Sequence, residues 1–140
     1  MATPGWSTRR FYRIFFESPV VLRINRIHRK SIRLAEKDVH GRILNLSEGG
    51  CGVESQFFIP KGTRVNLFID RAALSPKDSK QVEKGVTRIV GQVMNCAGKG
   101  LGKYRLGLEF VRMASKDRHL VSQMVQIVER GKHPRLELGR

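Results

Sequence analysis

The chain is short of acids, of cysteine and of long apolar runs, and each shortage closes off a class of protein. Only 12 Asp and Glu stand against 27 Lys and Arg in 140 residues, a formal net charge of +15. That excess is more than solubility requires and argues for an anionic partner: a nucleotide, nucleic acid, an acidic protein or an anionic membrane. The two cysteines, Cys51 and Cys96, have no CxxC spacing and no clustered histidines beside them, so neither a zinc site nor a disulfide framework is indicated. They read as small core thiols in a reducing compartment. The histidines, His28, His40, His119 and His133, are scattered, with no Asp or Cys at the spacing of a triad or a metal set. No catalytic centre is visible, and an enzyme is not expected. No run approaches the roughly 20 apolar residues that span a bilayer. Arg9, Arg10, Arg13 and Glu17 also interrupt the N-terminal segment before it reaches signal-peptide length. The expected location is the cytoplasm, without metal or cofactor.

What is present is enough for one domain. A chain of 140 residues with 40% hydrophobic residues buries a single core. Residues 1–8 are small and polar apart from Trp6, and together with the segment up to residue 18 they read as a flexible arm. Alternation of apolar and polar residues then predicts strands at Val20–Ile27, Val39–Leu46, Cys51–Ser55, Val65–Ile69, Val86–Cys96 and Lys103–Val111. The turn AGKGLG before the last strand leads into a strand and not a helix, so it is a hairpin loop and not a phosphate-binding loop. Arg71–Gly85 reads as a surface loop with room for a short helical turn. After Val111 the period becomes helical, with Leu120, Met124, Ile127 and Val128 on one face, and Gly131 and Pro134 predict the stop. The expected fold is all-β: a small six-stranded antiparallel β-barrel over residues 19–112, a C-terminal α-helix over 113–131 and a tail over 132–140.

Two polar clusters stand out. Arg9-Arg10-Phe11-Tyr12-Arg13 interleaves cations with aromatics, a pattern suited to flat anionic ligands. Taken alone, it reads as apolar anchors of the arm with solvated arginines. Asn45-Leu46-Ser47-Glu48-Gly49-Gly50 is a strand end breaking into a glycine turn, and taken alone it is any β-turn. The basic run Arg26–Arg33 reads as a solvated hairpin edge ahead of a nucleic-acid footprint.

Together, and in this order, the clusters resemble the signature of the PilZ domain family: RxxxR followed some thirty residues later by [DN]xSxxG. The stretch Gly100–Phe110 is also similar to that family's closing strand, so the resemblance covers roughly Arg9–Val111. It implies a receptor for the bacterial messenger cyclic di-GMP. By this resemblance Arg9 and Arg13 clamp guanine and phosphate from the arm, and Arg10 adds a contact. Asn45 and Ser47 hydrogen-bond the guanine edge, and Gly50 keeps the surface free of a side chain. Glu48 falls on a variable position and is expected to be exposed. The uncharged Thr8 before RxxxR favours one bound ligand over a stacked pair. The implied mechanism is an adaptor whose arm orders on the ligand and presents a new surface to a protein partner. The rival reading is a basic β-barrel binding RNA or single-stranded DNA, motivated by the +15 charge, which a ligand with two negative charges does not absorb.

Overall fold

Alternating side chains build six strands: β1 (Ile14–Ile24), β2 (Val39–Leu46), β3 (Gly50–Ser55), β4 (Arg64–Asp70), β5 (Val86–Gly100) and β6 (Lys103–Met113). A computed structural model describes residues 13–24, 38–75 and 84–138, with side chains up to residue 128. The strands close into a barrel in the order β1-β2-β3-β6-β5-β4, and every neighbouring pair is antiparallel. Inward positions such as Leu22, Ile43, Val53, Leu67, Ile89 and Leu106 are fully buried and fill the interior. This is the six-stranded antiparallel barrel that the alternation predicts. The basic run Arg26–Arg33 lies outside the described residues.

The first strand starts earlier than the sequence indicates. Residues 14–18, assigned to the arm by sequence, already belong to β1 and pair with β2, and Ile14 is buried. Pro19, directly before the strand predicted at Val20–Ile27, lies in mid-strand and is tolerated there for a local reason. Pairing with β4 covers only Val21–Ile24, so at Pro19 the strand has one neighbour, next to a register shift between Phe15 and Ser18. Proline is compatible with edges and bulges because the missing N–H costs no ladder bond there. Phe68, which points outward from β4, is covered by the Arg23 guanidinium 4.9 Å from its ring centre. Arg23 also pairs with Asp38 at 2.8 Å.

Among the described residues, two helices complete the fold. A single turn, α1 (Arg71–Leu74), follows β4, with the Asp70 side chain accepting from the Ala72 N–H. The long helix α2 (Ser115–Leu138) lies against α1 and β1 and buries Leu120, Val121, Met124 and Val125. Ile127, predicted for the apolar face, is 41% exposed, and Val121 and Val125 pack in its stead. The helix also runs past the predicted stop at Gly131, through Pro134 to Leu138, so residues 132–138 are not a tail. Proline fixes φ near the helical value and its penalty is local, one missing donor and a crowded carbonyl one turn earlier. Asp117 fastens the start of α2 to the barrel. It is 3% exposed, accepts from Arg71 Nε at 3.0 Å and accepts from the Thr87 hydroxyl at 3.1 Å.

The β5–β6 hairpin closes through Leu101 and Gly102, whose φ values of 56° and 72° are both positive, the sign pattern of a type I′ turn. A left-handed backbone costs a non-glycine residue roughly 1–2 kcal/mol, so leucine is an uncommon choice at this position.

Candidate ligand site at the turn after the second strand

Ser47 builds the turn between β2 and β3. Its hydroxyl accepts from the N–H groups of Gly49 at 3.2 Å and Gly50 at 3.1 Å, and donates to the Gly50 carbonyl at 3.2 Å. One hydroxyl has one donor and two lone pairs, so these contacts use its full capacity. The Ser47 N–H also donates to the Gly50 carbonyl, at 2.9 Å, and the side chain is buried within the turn. The Phe110 N–H reaches the Gly49 carbonyl at 2.9 Å and ties the turn to β6. Glu48 is exposed at its apex.

The glycines of this region do different jobs. A Cβ on Gly50 would stand 2.2 Å from the Leu108 carbonyl oxygen, so Gly50 is required by the close approach of β3 and β6. Gly52 has another role. Its missing Cβ is occupied by the side-chain amide of Asn45, whose Nδ2 would lie 2.7 Å from that Cβ. The same device recurs two strands away, where Asn95 Nδ2 lies 2.8 Å from the Cβ position of Gly107. Asn45 pairs with Gly52, Gly52 with Gly107, and Gly107 with Asn95. Cys51, Val53, Leu106 and Leu108 point inward, so this row crosses the outer wall: two amides lying over a floor of bare backbone. Gly52, Gly107 and Asn95 carry no motif signal; only the strand register brings them beside Asn45.

Phe15 continues this row onto β1, and Arg13 lies two residues before it in the chain. Ile14 pairs with Leu46 and Phe15 with Asn45, so one further antiparallel step places Arg13 beside Ser47. With Ile14 inward, Arg13 and Phe15 both face out, and Phe15 is 70% exposed next to Asn45. Arg13, Asn45, Ser47 and Gly50 therefore share one corner of the barrel. Arg9 and Arg10 lie outside the described residues. Below the wall, burial pushes the Cys51 thiol up to about 12, so it is an inert core group.

The corner offers a cation, two amides, an exposed ring and bare backbone, which together can hold a flat polar ligand with negative charge. Among the described residues no group of three or more His, Cys, Asp or Glu could hold a metal ion, and no helix is long and apolar enough to cross a membrane.

Known structures share this architecture. The inhibitor of motility MotI/DgrA from Bacillus subtilis matches at a TM-score of 0.65 and 16% identity, over 89% of this chain and 52% of that one. This chain thus spans about half the length of that protein. The PilZ domain of YcgR from Escherichia coli, solved with c-di-GMP, matches at 0.60 and 16% identity, over 92% of this chain and 97% of that one. A tetrameric PilZ domain protein from Xanthomonas campestris matches at 0.60 and 12% identity, over 89% of each chain. Among curated proteins none matches the sequence significantly. The barrel order and the polar corner at the β2–β3 turn agree with a match of the PilZ domain model to residues 7–126, most of the sequence, and the chain belongs to the PilZ domain family.

Proposed function

We propose that the protein is a receptor for cyclic di-GMP that grips the messenger between its N-terminal arginines and the outer wall at the β2–β3 turn, and passes the signal to a protein partner. The observation that supports this reading is the register Ile14–Leu46 and Phe15–Asn45, in which Arg13 directly precedes the paired end of β1 and Ser47 directly follows that of β2. Support comes from membership of the PilZ family and from the likeness to a YcgR domain solved with c-di-GMP. Cyclic di-GMP carries two guanines and two phosphodiesters. A guanidinium can fork onto O6 and N7 of guanine or pair with phosphate, and an amide can read the base edge. Arg9 and Arg13 are assigned to guanine and phosphate, and Arg10 to an added contact. Asn45 supplies the amide from the wall. Ser47 and Gly50 act by holding the turn and the β3–β6 approach in shape, because the Ser47 hydroxyl is already saturated.

Calorimetric titration with cyclic di-GMP tests the reading. Wild type is expected to bind in the micromolar range or tighter, about −8 kcal/mol. Arg13→Ala is expected to lose about 10- to 100-fold, the worth of a hydrogen bond to a charged group. Protease cleavage of the N-terminal arm should slow when the messenger is bound, and equal rates with and without it would refute ordering of the arm. Absence of heat with cyclic di-GMP beside tight, salt-dependent RNA binding would favour the nucleic-acid reading instead.

Gly52→Ala tests the wall separately. The three atoms nearest the new methyl group all belong to the Asn45 side-chain amide, so the fold is expected to survive within about 1 kcal/mol while the amide is pushed off its floor. Titration should then show affinity falling about tenfold, with the melting temperature nearly unchanged.

A further inference from the structure

The end of the barrel remote from the ligand corner has its own chemistry. The loop 56–63 after β3 and the β5–β6 hairpin meet there, joined by an edge-to-face contact between Phe58 and Tyr104 with ring centres 5.9 Å apart. Phe57 is 41% exposed, Phe58 is 52% exposed, and Leu101 at the hairpin tip is 100% exposed. Ile59, fully buried, anchors the loop from below. Residues 56–63 and 97–105 contain Lys61, Lys99, Lys103 and Arg105 and no acid at all. Lys103 is paired with Glu54 on the wall behind, at 3.9 Å, whereas Lys61 and Lys99 are exposed with no carboxylate partner among the described residues.

Leu101 is the informative residue. The φ signs of this hairpin turn call for glycine or asparagine, yet an aliphatic side chain stands there, held in a left-handed conformation and wholly in water. It contributes neither burial nor turn propensity to the free protein, so its use lies in something that covers it. A projecting tip of leucine and two phenylalanines flanked by lysines matches the bilayer interface: rings and aliphatic groups enter the acyl boundary while ammonium groups meet anionic headgroups. Single-stranded nucleic acid fits less well, because leucine offers no π face for a base to stack on. A peptide in search of a groove fits less well too, because Leu101, 100% exposed at the hairpin tip, lines no groove.

We propose that this end of the barrel docks on an anionic lipid bilayer, with Phe57, Phe58 and Leu101 entering the interface and Lys61 and Lys99 contacting its headgroups. The length of β3, about 17 Å at 3.3–3.4 Å per residue, separates this tip from the Ser47 turn. A bilayer-bound molecule therefore keeps its ligand corner open to solution.

The test is co-sedimentation of the full chain with vesicles of mixed phosphatidylglycerol and phosphatidylcholine, and with vesicles of phosphatidylcholine alone, at physiological salt. Wild type should pellet with the anionic vesicles only. The triple variant Phe57→Ser, Phe58→Ser, Leu101→Ser should lose at least about tenfold in partitioning, with its thermal unfolding still cooperative by circular dichroism. In a Trp6→Phe background, Leu101→Trp should show blue-shifted fluorescence on adding the anionic vesicles. Triple-variant binding equal to wild type would overturn the proposal, since undirected charge would then explain the attachment. So would an unshifted Trp signal, or a triple variant that loses RNA binding while its vesicle binding is unchanged.

Discussion

Gly50→Ala is expected to lower stability by at least about 3 kcal/mol, the upper part of the range for overpacking a filled site. The added Cβ would stand 2.2 Å from a backbone carbonyl, that of Leu108, and backbone cannot swing aside as a side-chain end does. Relief requires β3 and β6 to separate where Gly50 pairs with Glu109 and Cys51 with Leu108, which also disturbs the Phe110–Gly49 bond that holds the turn. For a chain of this size the loss corresponds to a fall in melting temperature on the order of 10 °C, measurable by circular dichroism. Ligand binding should weaken with it. A melting temperature within a degree or two of wild type would mean that the strands yield more easily than their ladder allows.

Asp117→Ala is the second large effect, expected at about 3 kcal/mol. Removing one member of a buried ion pair leaves the other uncompensated, which costs about 3–5 kcal/mol. The low end applies because Arg71 keeps 24% of its side chain exposed and can turn toward water. Thr87, fully buried in β5, loses its acceptor at the same time. Because Asp117 ties the first turn of α2 to both α1 and β5, local loosening of the helix is expected beyond the global loss. Thermal unfolding gives the magnitude, and hydrogen exchange on residues 115–128 shows whether the helix detaches first. Asp117→Asn, which keeps the carbonyl for Thr87 and gives up the charge, should fall between the variant and wild type.

The strands were legible because a wall with one buried face must alternate, and Tyr104, Leu106 and Leu108 in β6 declare their side without help. The beginning of β1 was hidden by Pro19, because its tolerance depends on where β4 stops pairing, a fact of the third dimension. The end of α2 was misplaced because Gly131 and Pro134 weaken a helix without forbidding it. The pair Arg71–Asp117 joins residues 46 positions apart, beyond any local pattern. At the candidate site the motif residues Asn45, Ser47 and Gly50 were visible, but the contacts that Ser47 and Gly50 make within the protein were not. Ser47 is consumed by its own turn and Gly50 by a neighbouring strand, while Gly52 and Asn95 entered only through register.

The one-sided pairing of β1 around Pro19 also sets how the molecule opens. Among the described residues the only ladder along Ile14–Val20 is the one with β2, so this stretch is expected to fray before Val21–Ile24, which has ladders on both sides. Arg13 directly precedes that stretch. On the proposed function, ligand release and fraying of this stretch would be one linked equilibrium: a change that stiffens residues 14–20 is expected to prolong the bound state and one that frays them to shorten it, with no contact to the ligand altered.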